Sequence, residues 1–210
     1  MVISMKVLLV NSSPHENGCV FTALDHMAAH FGSLGVETEL FQFGRTPVAG
    51  CIACGACRKT GKCFKNDLVN EFAAKCETAD GFVFGTPVYY AGPSGQLISF
   101  MDRLFFSAGR FLQNKPAAAV VSCRRGGASA AFESINKYFQ ISNMPVVSSQ
   151  YWNQVHGSSP EDVLKDEEGL QTLRTLAENM TYLLRCLRAG SAAGISVPVR
   201  ETPLRTNFIR

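Results

Sequence analysis

Four cysteines, Cys51, Cys54, Cys57 and Cys63, follow one another with the spacing C-x2-C-x2-C-x5-C. Thiolates this close in sequence can reach several corners of one iron–sulfur cube. A zinc ion would more often draw on two separated pairs. Gly55 and Gly61 let the backbone wrap, and Arg58, Lys59 and Lys62 bring positive charge. The same run could instead carry packed or redox-reactive thiols. A second group lies near the start of the chain, in Asn11-Ser12-Ser13-Pro14-His15-Glu16-Asn17-Gly18. It offers an anion the side chains of Ser13, His15 and Thr22 and the backbone N–H groups of Gly18, Cys19 and Val20. No GxxxxGK[ST] and no GxGxxG is present, which disfavours nucleoside triphosphates and the usual dinucleotide mode. A third group is Thr86-Pro87-Val88-Tyr89-Tyr90-Ala91-Gly92-Pro93, where a flat heteroaromatic ring can stack on a tyrosine and bond the backbone at its edge. A fourth is Cys123-Arg124-Arg125-Gly126-Gly127. Packing against helices is the alternative for the tyrosines, and a solvated face the alternative for the arginines.

These residues need elements to position them. Lys6-Val7-Leu8-Leu9-Val10 is a short apolar run with the character of a strand buried on both faces. Val20, Phe21, Leu24, Met27, Ala28 and Phe31 then recur at helical spacing, and Gly35 stops the pattern. Further strands are predicted over 37–43, 80–85, 117–123 and 144–149. Helices are predicted from Asp67 to Cys76, from Pro93 through Phe105, over about 129–139, and from Ser159 onward with Leu170, Leu173, Leu176, Met180, Leu183, Leu184 and Leu187 on one stripe. Strands alternating with helices imply right-handed βαβ units and a parallel sheet. The expected architecture is a flavodoxin-like three-layer α/β sandwich, with a five-stranded parallel sheet in the order 2-1-3-4-5 and helices on both faces. Ligands of such sheets sit beyond the carboxyl ends of the strands, at the switch point. That is where loops 11–18, 86–93 and 122–127 should meet. Phosphate at one end and a planar ring at the other describe flavin mononucleotide, FMN.

The chain has 210 residues, 46% hydrophobic and 18% charged, with a net charge of +3. Such a length suggests one domain, over 1–190, with a cysteine-rich insert at 44–65 and a tail at 191–210. The small net charge argues against a dedicated nucleic-acid binder. No apolar run approaches the length of a membrane span, and the start of the chain reads as a strand, not a signal peptide. Met5 is an alternative start, with 1–4 as an extension. A cytoplasmic protein is expected, its eight cysteines being thiols, ligands or catalytic groups and not a disulfide framework. Cys19, Cys76, Cys123 and Cys186 are expected to be structural.

Three stretches, KVLLVNSSPHENG, CIACGACRKTGKC and GTPVYYAGPSGQLISFMDR, together resemble the NADPH-dependent FMN reductase group, and within it the iron–sulfur flavoproteins. The resemblance spans roughly residues 5–190. It implies bound FMN, electrons from a nicotinamide or ferredoxin-type donor, and dimers or tetramers. It places the phosphate loop at Ser13, His15, Asn17, Gly18, Cys19 and Val20, and the ring-binding loop at Pro87, Val88, Tyr89 and Tyr90. Cys123 and Arg124 of the third loop are further cofactor-side candidates. Cys51, Cys54, Cys57 and Cys63 match the ligand spacing of a [4Fe–4S] cluster. Two departures stand out. An imidazole, His15, replaces the usual guanidinium, and Val20 stands where a hydroxyl is common. Arg103 is expected to pair with an acid, not to touch the flavin.

The function expected is NAD(P)H-dependent reduction of a flavin, quinone, nitro or azo acceptor, carried by FMN with no catalytic side chain. An electron carrier relaying between a [4Fe–4S] cluster and FMN, with a redox protein as partner, is the alternative. A flavodoxin-like domain with an empty site, acting through its interfaces, is a third possibility. The tail, with Val197, Val199, Leu204, Phe208 and Ile209, is expected to pack on a neighbouring subunit or over its own core. The turn Tyr151-Trp152-Asn153 is expected past the fifth strand, where it could border the site, with no role assigned.

Overall fold

A computed structural model describes residues 5–206 and Phe208. Residues 1–4 and Ile209 of the tail, both named above, lie outside the described part. Strand β1 (Met5–Asn11) is followed by helix α1 (Cys19–Ser33) and β2 (Val36–Gln42). The cysteine-rich segment comes next and contains one short helix, α2 (Ala56–Thr60). Then come α3 (Leu68–Cys76), β3 (Gly81–Tyr89), the two-residue β4 (Gly92–Pro93), α4 (Gly95–Ala108), β5 (Ala117–Cys123) and α5 (Ala128–Ile141). The chain finishes with β6 (Gln154–His156), α6 (Pro160–Val163) and α7 (Glu167–Ala192).

The strands lie in the order β2-β1-β3-β5-β6, all parallel, with β4 folded back on β3. Counted over its parallel strands this is the flavodoxin-like order 2-1-3-4-5. The period-2 alternation of strand side chains builds two cores from one run of residues. Leu8 and Val10 face Phe82, Phe84, Phe72, Phe100 and Phe139, under α3, α4 and α5. Val7 and Leu9 face Val83, Val120, Leu24, Met27, Leu173 and Met180, under α1 and α7. The leucine stripe of the last helix is thus the lid of the second core. Gly85 lets α1 approach the sheet: a Cβ there would lie 2.8 Å from Leu24 Cδ1 and 3.0 Å from the Val10 carbonyl oxygen.

Several expectations are corrected. Of the stretch 144–149, only Val146 bridges to Ala117. The edge strand leaves the sheet after Val147, where Ser149 Oγ bonds Tyr151 O and Asn153 Oδ1 at 2.7 Å each. It resumes at Gln154 beside Val121. The Tyr151-Trp152 turn therefore precedes the last strand and sits along the sheet edge, not past the strand's carboxyl end. Pro93 is not in the first turn of α4; it pairs with Val88, and Ser94 caps the helix. The helix starting at Ser159 lasts one turn. Asp166 then caps a new one, accepting the N–H of Gly169. Cys186 is exposed, whereas Cys76 is fully buried and its thiol is pushed up to about 12 by that burial. No described helix is long and apolar enough to cross a membrane. Residues 193–208 carry no helix or strand where described, and Val197, Val199, Leu204 and Phe208 are exposed. Among the described residues nothing covers these four side chains, although Arg200 donates to Asn114 Oδ1 at 2.9 Å.

Helices α1 and α7 also meet through His26, whose Nε2 lies 3.0 Å from Arg174 Nη1. Burial, then the charges of Arg174 and His30, lower the His26 pKa, against a smaller upward pull from Asp25. The unfolded chain then binds more protons than the folded one between the folded pKa and the ordinary value. Stability must rise with pH through that window. It is present in full above the ordinary histidine pKa and is lost as pH falls through the folded one. We expect urea midpoints to drop between pH 7.5 and pH 5, and His26→Gln to flatten that part of the slope.

Candidate functional site

The three predicted loops meet at the carboxyl ends of β1, β3 and β5. Buried polar groups clip the first two together. Ser12 N donates to the Gly85 carbonyl at 3.1 Å, and Ser12 Oγ donates to the same oxygen at 2.8 Å. Ser94 Oγ reaches Ser12 Oγ at 3.1 Å, and Ser94 N donates to Thr86 Oγ1 at 2.9 Å. On the other side, Asn11 Nδ2 donates to Gln42 Oε1 at 2.6 Å, and Gln42 Nε2 donates to Ser13 O at 2.9 Å. The first loop is thus held from both flanking strands. Sequence spacing gave no signal for Gln42, and Thr86 stood out only as the first residue of the second loop. Ser94 had one, a hydroxyl three residues before Leu97, which the neighbouring Pro93 masked.

Helix α1 starts at Gly18 with no side-chain cap. Its first-turn N–H groups at Cys19, Val20 and Phe21 find no acceptor among the described residues. Gly18 N closes a turn on His15 O at 3.3 Å and so is already used. Val20 and Ser13 are buried, so Val20 offers its N–H alone. The Ser13 hydroxyl oxygen accepts the His15 N–H at 3.1 Å, leaving its own hydrogen to give. His15 and Asn17 are exposed and line an open hollow of about 560 Å³ with Pro14, Glu16, Gly18 and Arg45. Arg45 was missed in the sequence because it stands alone in a turn. It brings a guanidinium to the loop that lacks one at position 15.

The second loop is a two-residue hairpin, with Tyr90 (φ 50°) and Ala91 (φ 59°) both in the left-handed region. A tight turn of this hand normally takes Asn or Gly. Non-glycine residues held there store strain, which clusters at binding sites. Tyr90 is entirely exposed and Tyr89 half so, while Pro87 and Val88 are partly covered. The third loop packs on the hairpin. Gly127 has φ +87°, and a Cβ on it would lie 2.8 Å from Ala91 Cα. It starts α5, which, like α1, has no side-chain cap. Arg124 and Arg125 are exposed, whereas the Cys123 side chain is buried with Val121, Ala128 and Ala131. Cys19 Sγ points at Gly157 O, 3.8 Å away, and burial raises its thiol pKa.

The four spaced cysteines all line one cavity of about 240 Å³, with Ala49, Ile52, Phe64, Arg103 and Phe106 among its walls. Arg58 and Lys65 also line it; Lys59 and Lys62 do not. Among the described residues no three ligating side chains converge on a single ion. Cys51 and Cys54 are exposed, and Cys57 sits on α2. Ala53, Gly55 and Gly61 take positive φ, which wraps the segment around the cavity. Cys63 is the most tightly held: its N–H donates to Asn70 Oδ1 at 3.0 Å and its carbonyl accepts from Asn70 Nδ2 at 2.9 Å. Arg103 pairs with Asp67, two contacts of 2.8 Å each, as expected. Burial pushes the Asp67 carboxyl up, but the Arg103 hydrogen bonds and charge outweigh it and leave it below its ordinary value.

The chain is similar to known proteins over most of its length. The family model for NADPH-dependent FMN reductase matches residues 5–158. An iron–sulfur flavoprotein of Methanocaldococcus jannaschii is 32% identical over 192 residues, covering 88% of this chain and all of that one. Among solved structures, RosB with bound 8-demethyl-8-formylriboflavin-5'-phosphate superposes with a TM-score of 0.71 at 15% identity, over 99% of this chain and 94% of that one. An archaeal flavodoxin superposes with a TM-score of 0.60 at 15% identity, over 86% and 99%. The fold is flavodoxin-like. Because Gly127 meets the hairpin backbone at a φ that side chains avoid, Gly127→Ala should cost about 2 kcal/mol. Gly126→Ala, in open space, should cost almost nothing; urea denaturation of both variants checks the contrast.

Proposed function

We propose that this chain, which belongs to the NADPH-dependent FMN reductase family and groups with the iron–sulfur flavoproteins, is an FMN-binding oxidoreductase. The observation that carries this is that the two long helices without a side-chain cap, α1 and α5, start at the loops on either side of the strained Tyr90-Ala91 hairpin. The five-residue α2 is the other uncapped helix. By contrast α3, α4, α6 and α7 are each capped by their own Ser or Asp. A helix start left without a cap suits an anion. The donor set fits the phosphate of FMN: the N–H groups of Cys19 and Val20, the Ser13 hydroxyl, His15, Asn17 and the Arg45 guanidinium, with Gly18 closing the turn that starts the helix. Pro87, Val88, Tyr89 and Tyr90 would hold the ring, with Cys123 and Arg124 as further contacts. When bound, FMN supplies the exchange of electron pairs and single electrons. The chain's part is to hold the ring, neutralise the phosphate and leave one face open to a donor and an acceptor. NAD(P)H is the donor in this reading, and a flavin, quinone, nitro or azo compound the acceptor. All eight cysteines are free thiols, which suits a cytoplasmic protein.

A second reading is favoured by one observation, the shared cavity of Cys51, Cys54, Cys57 and Cys63. Four thiolates fit the donor chemistry of a [4Fe–4S] cluster. In this reading the protein passes single electrons between such a cluster and FMN, and its partner is another redox protein. Steady-state turnover separates the readings. A reductase cycles quickly with NAD(P)H and a small acceptor, while a carrier stays slow until given a reduced ferredoxin-type donor.

Absorption spectra of anaerobically purified protein, with iron and acid-labile sulfide assays, test both. Flavin bands with about four irons per chain support the cluster reading. Flavin bands without iron leave a plain FMN reductase. Protein that takes up no added FMN sinks the oxidoreductase reading and leaves a domain acting through its surfaces.

The tail extends this reading to assembly. The uncovered Val197, Val199, Leu204 and Phe208 suit a neighbouring subunit in a homodimer or homotetramer. Removing residues 196–210 should lower the mass measured by light scattering. An unchanged mass and an unchanged FMN affinity would show that the tail has no such role.

A further inference from the structure

We propose that Arg103 is the positioning residue for Cys63: its Nε–H, aimed at the cysteine sulfur, holds that sulfur as a cluster ligand and tunes the electron affinity of the site. This rests on the reading that the four cysteines hold an iron–sulfur group. Arg103 is 3% exposed. A guanidinium taken out of water needs all of its donors satisfied, and here each of the five has a partner. Nη1 bonds Asp67 Oδ2 at 2.8 Å and Ala49 O at 3.3 Å. Nη2 bonds Asp67 Oδ1 at 2.8 Å and Lys65 O at 3.2 Å. The fifth donor, Nε, bonds Cys63 Sγ at 3.3 Å.

The arrangement does three things at once. Ala49 precedes the cysteine run and Lys65 follows it, so one side chain ties both ends of the segment to α4. The Asp67 carboxylate balances the guanidinium charge, so the ion pair adds no net charge beside the cavity. The Nε–H that remains is the one donor directed at a ligand sulfur. An N–H pointing at a ligand sulfur favours the form of the site carrying more negative charge, and hydrogen bonds to sulfur are among the levers that set cluster potentials. Lysine could replace the charge but not the fork. A neutral side chain would replace neither and would leave the Asp67 carboxylate unpaired.

The test uses the full chain, reconstituted with iron and sulfide, in four forms: wild type, Arg103→Lys, Arg103→Gln and Asp67→Asn. Iron per chain and the midpoint potential, followed by redox titration with electron paramagnetic resonance, are the readouts. We expect Arg103→Gln to hold less than half the iron of wild type, with a more negative potential. Arg103→Lys should hold more iron than Arg103→Gln and lie between it and wild type in potential. Asp67→Asn keeps the Arg103 bond to sulfur and removes a negative charge, so its potential should move the other way. A role limited to folding would lower melting temperatures while leaving the potential of loaded protein unmoved. Should Arg103→Gln fail to fold or to load, Arg103→Lys carries the comparison. Loaded variants with the wild-type potential would overturn the assignment of Arg103 and leave the cluster reading standing. Wild-type protein that takes up no iron would overturn the cluster reading itself, and this inference with it.

Discussion

The structure depends on one topological constraint: β1 and β3 are neighbours, yet the helices that follow them go to opposite faces of the sheet. Helix α1 packs with α7 on the Val7–Leu9 side, and α4 packs with α3 on the Leu8–Val10 side. The chain must therefore diverge at the carboxyl ends of these two strands and leave a crevice between the loops. A crevice edged by backbone would expose polar groups and tend to spread. Here Ser12, Thr86 and Ser94, all buried, close its floor with hydrogen bonds of 2.8 to 3.1 Å. Gly85 completes the closure, because any side chain there would push α1 off the sheet.

The same economy explains which helices are capped. A side-chain cap is worth about 1 kcal/mol, and four helices here have one from their own sequence. The two long helices without one are those starting at the crevice, at Gly18 and Gly127. A hydroxyl or carboxylate capping α1 would occupy the free N–H groups that suit an anion. The hairpin between them adds strain, with two non-glycine residues at positive φ. Stability is given up at three adjacent places, and the rest of the sheet, with its two closed cores, can bear that loss.

How much of this was legible in the sequence follows from the range of the forces involved. The unbroken apolar run Val7–Val10 and the leucine stripe of α7 report burial directly, and strands alternating with helices imply the parallel sheet, so its order and both faces could be read. So could the loops, whose small polar residues sit beside apolar strands, and the pairing of Arg103 with an acid. The last strand could not. Val146 and Val147 have the right character, but Ser149 finds closer partners in its own turn and pulls the edge out of register. Asp166 likewise breaks what looked like one helix, because its carboxylate also accepts the His156 N–H at 2.7 Å. Gln42, Asn70 and Arg45 left no trace in spacing. Gln42 and Asn70 find their partners, and Arg45 its place beside the first loop, only in the folded chain.

Helix α4 joins the two candidate sites. Its cap, Ser94, belongs to the crevice, and Arg103, nine residues on, belongs to the cysteine cavity; at helical rise that is about 14 Å along one rigid rod. The cysteine segment itself has few internal ties. Cys51 and Cys54 are exposed, and its short helix buries nothing. What fixes it comes from outside: the buried Arg103 guanidinium, bonded to residues on both sides of the run, the Asn70 amide on Cys63 and Arg110 on Gly61 O. An insert anchored this way can vary in its exposed residues, such as Ile52 and Phe64, without losing its place. Losing Arg103 would leave Asp67 unpaired and release the ties at Ala49 and Lys65 together. The distance between crevice and cavity is thus set by a helix, whose length does not fluctuate, and not by a loop, whose length would.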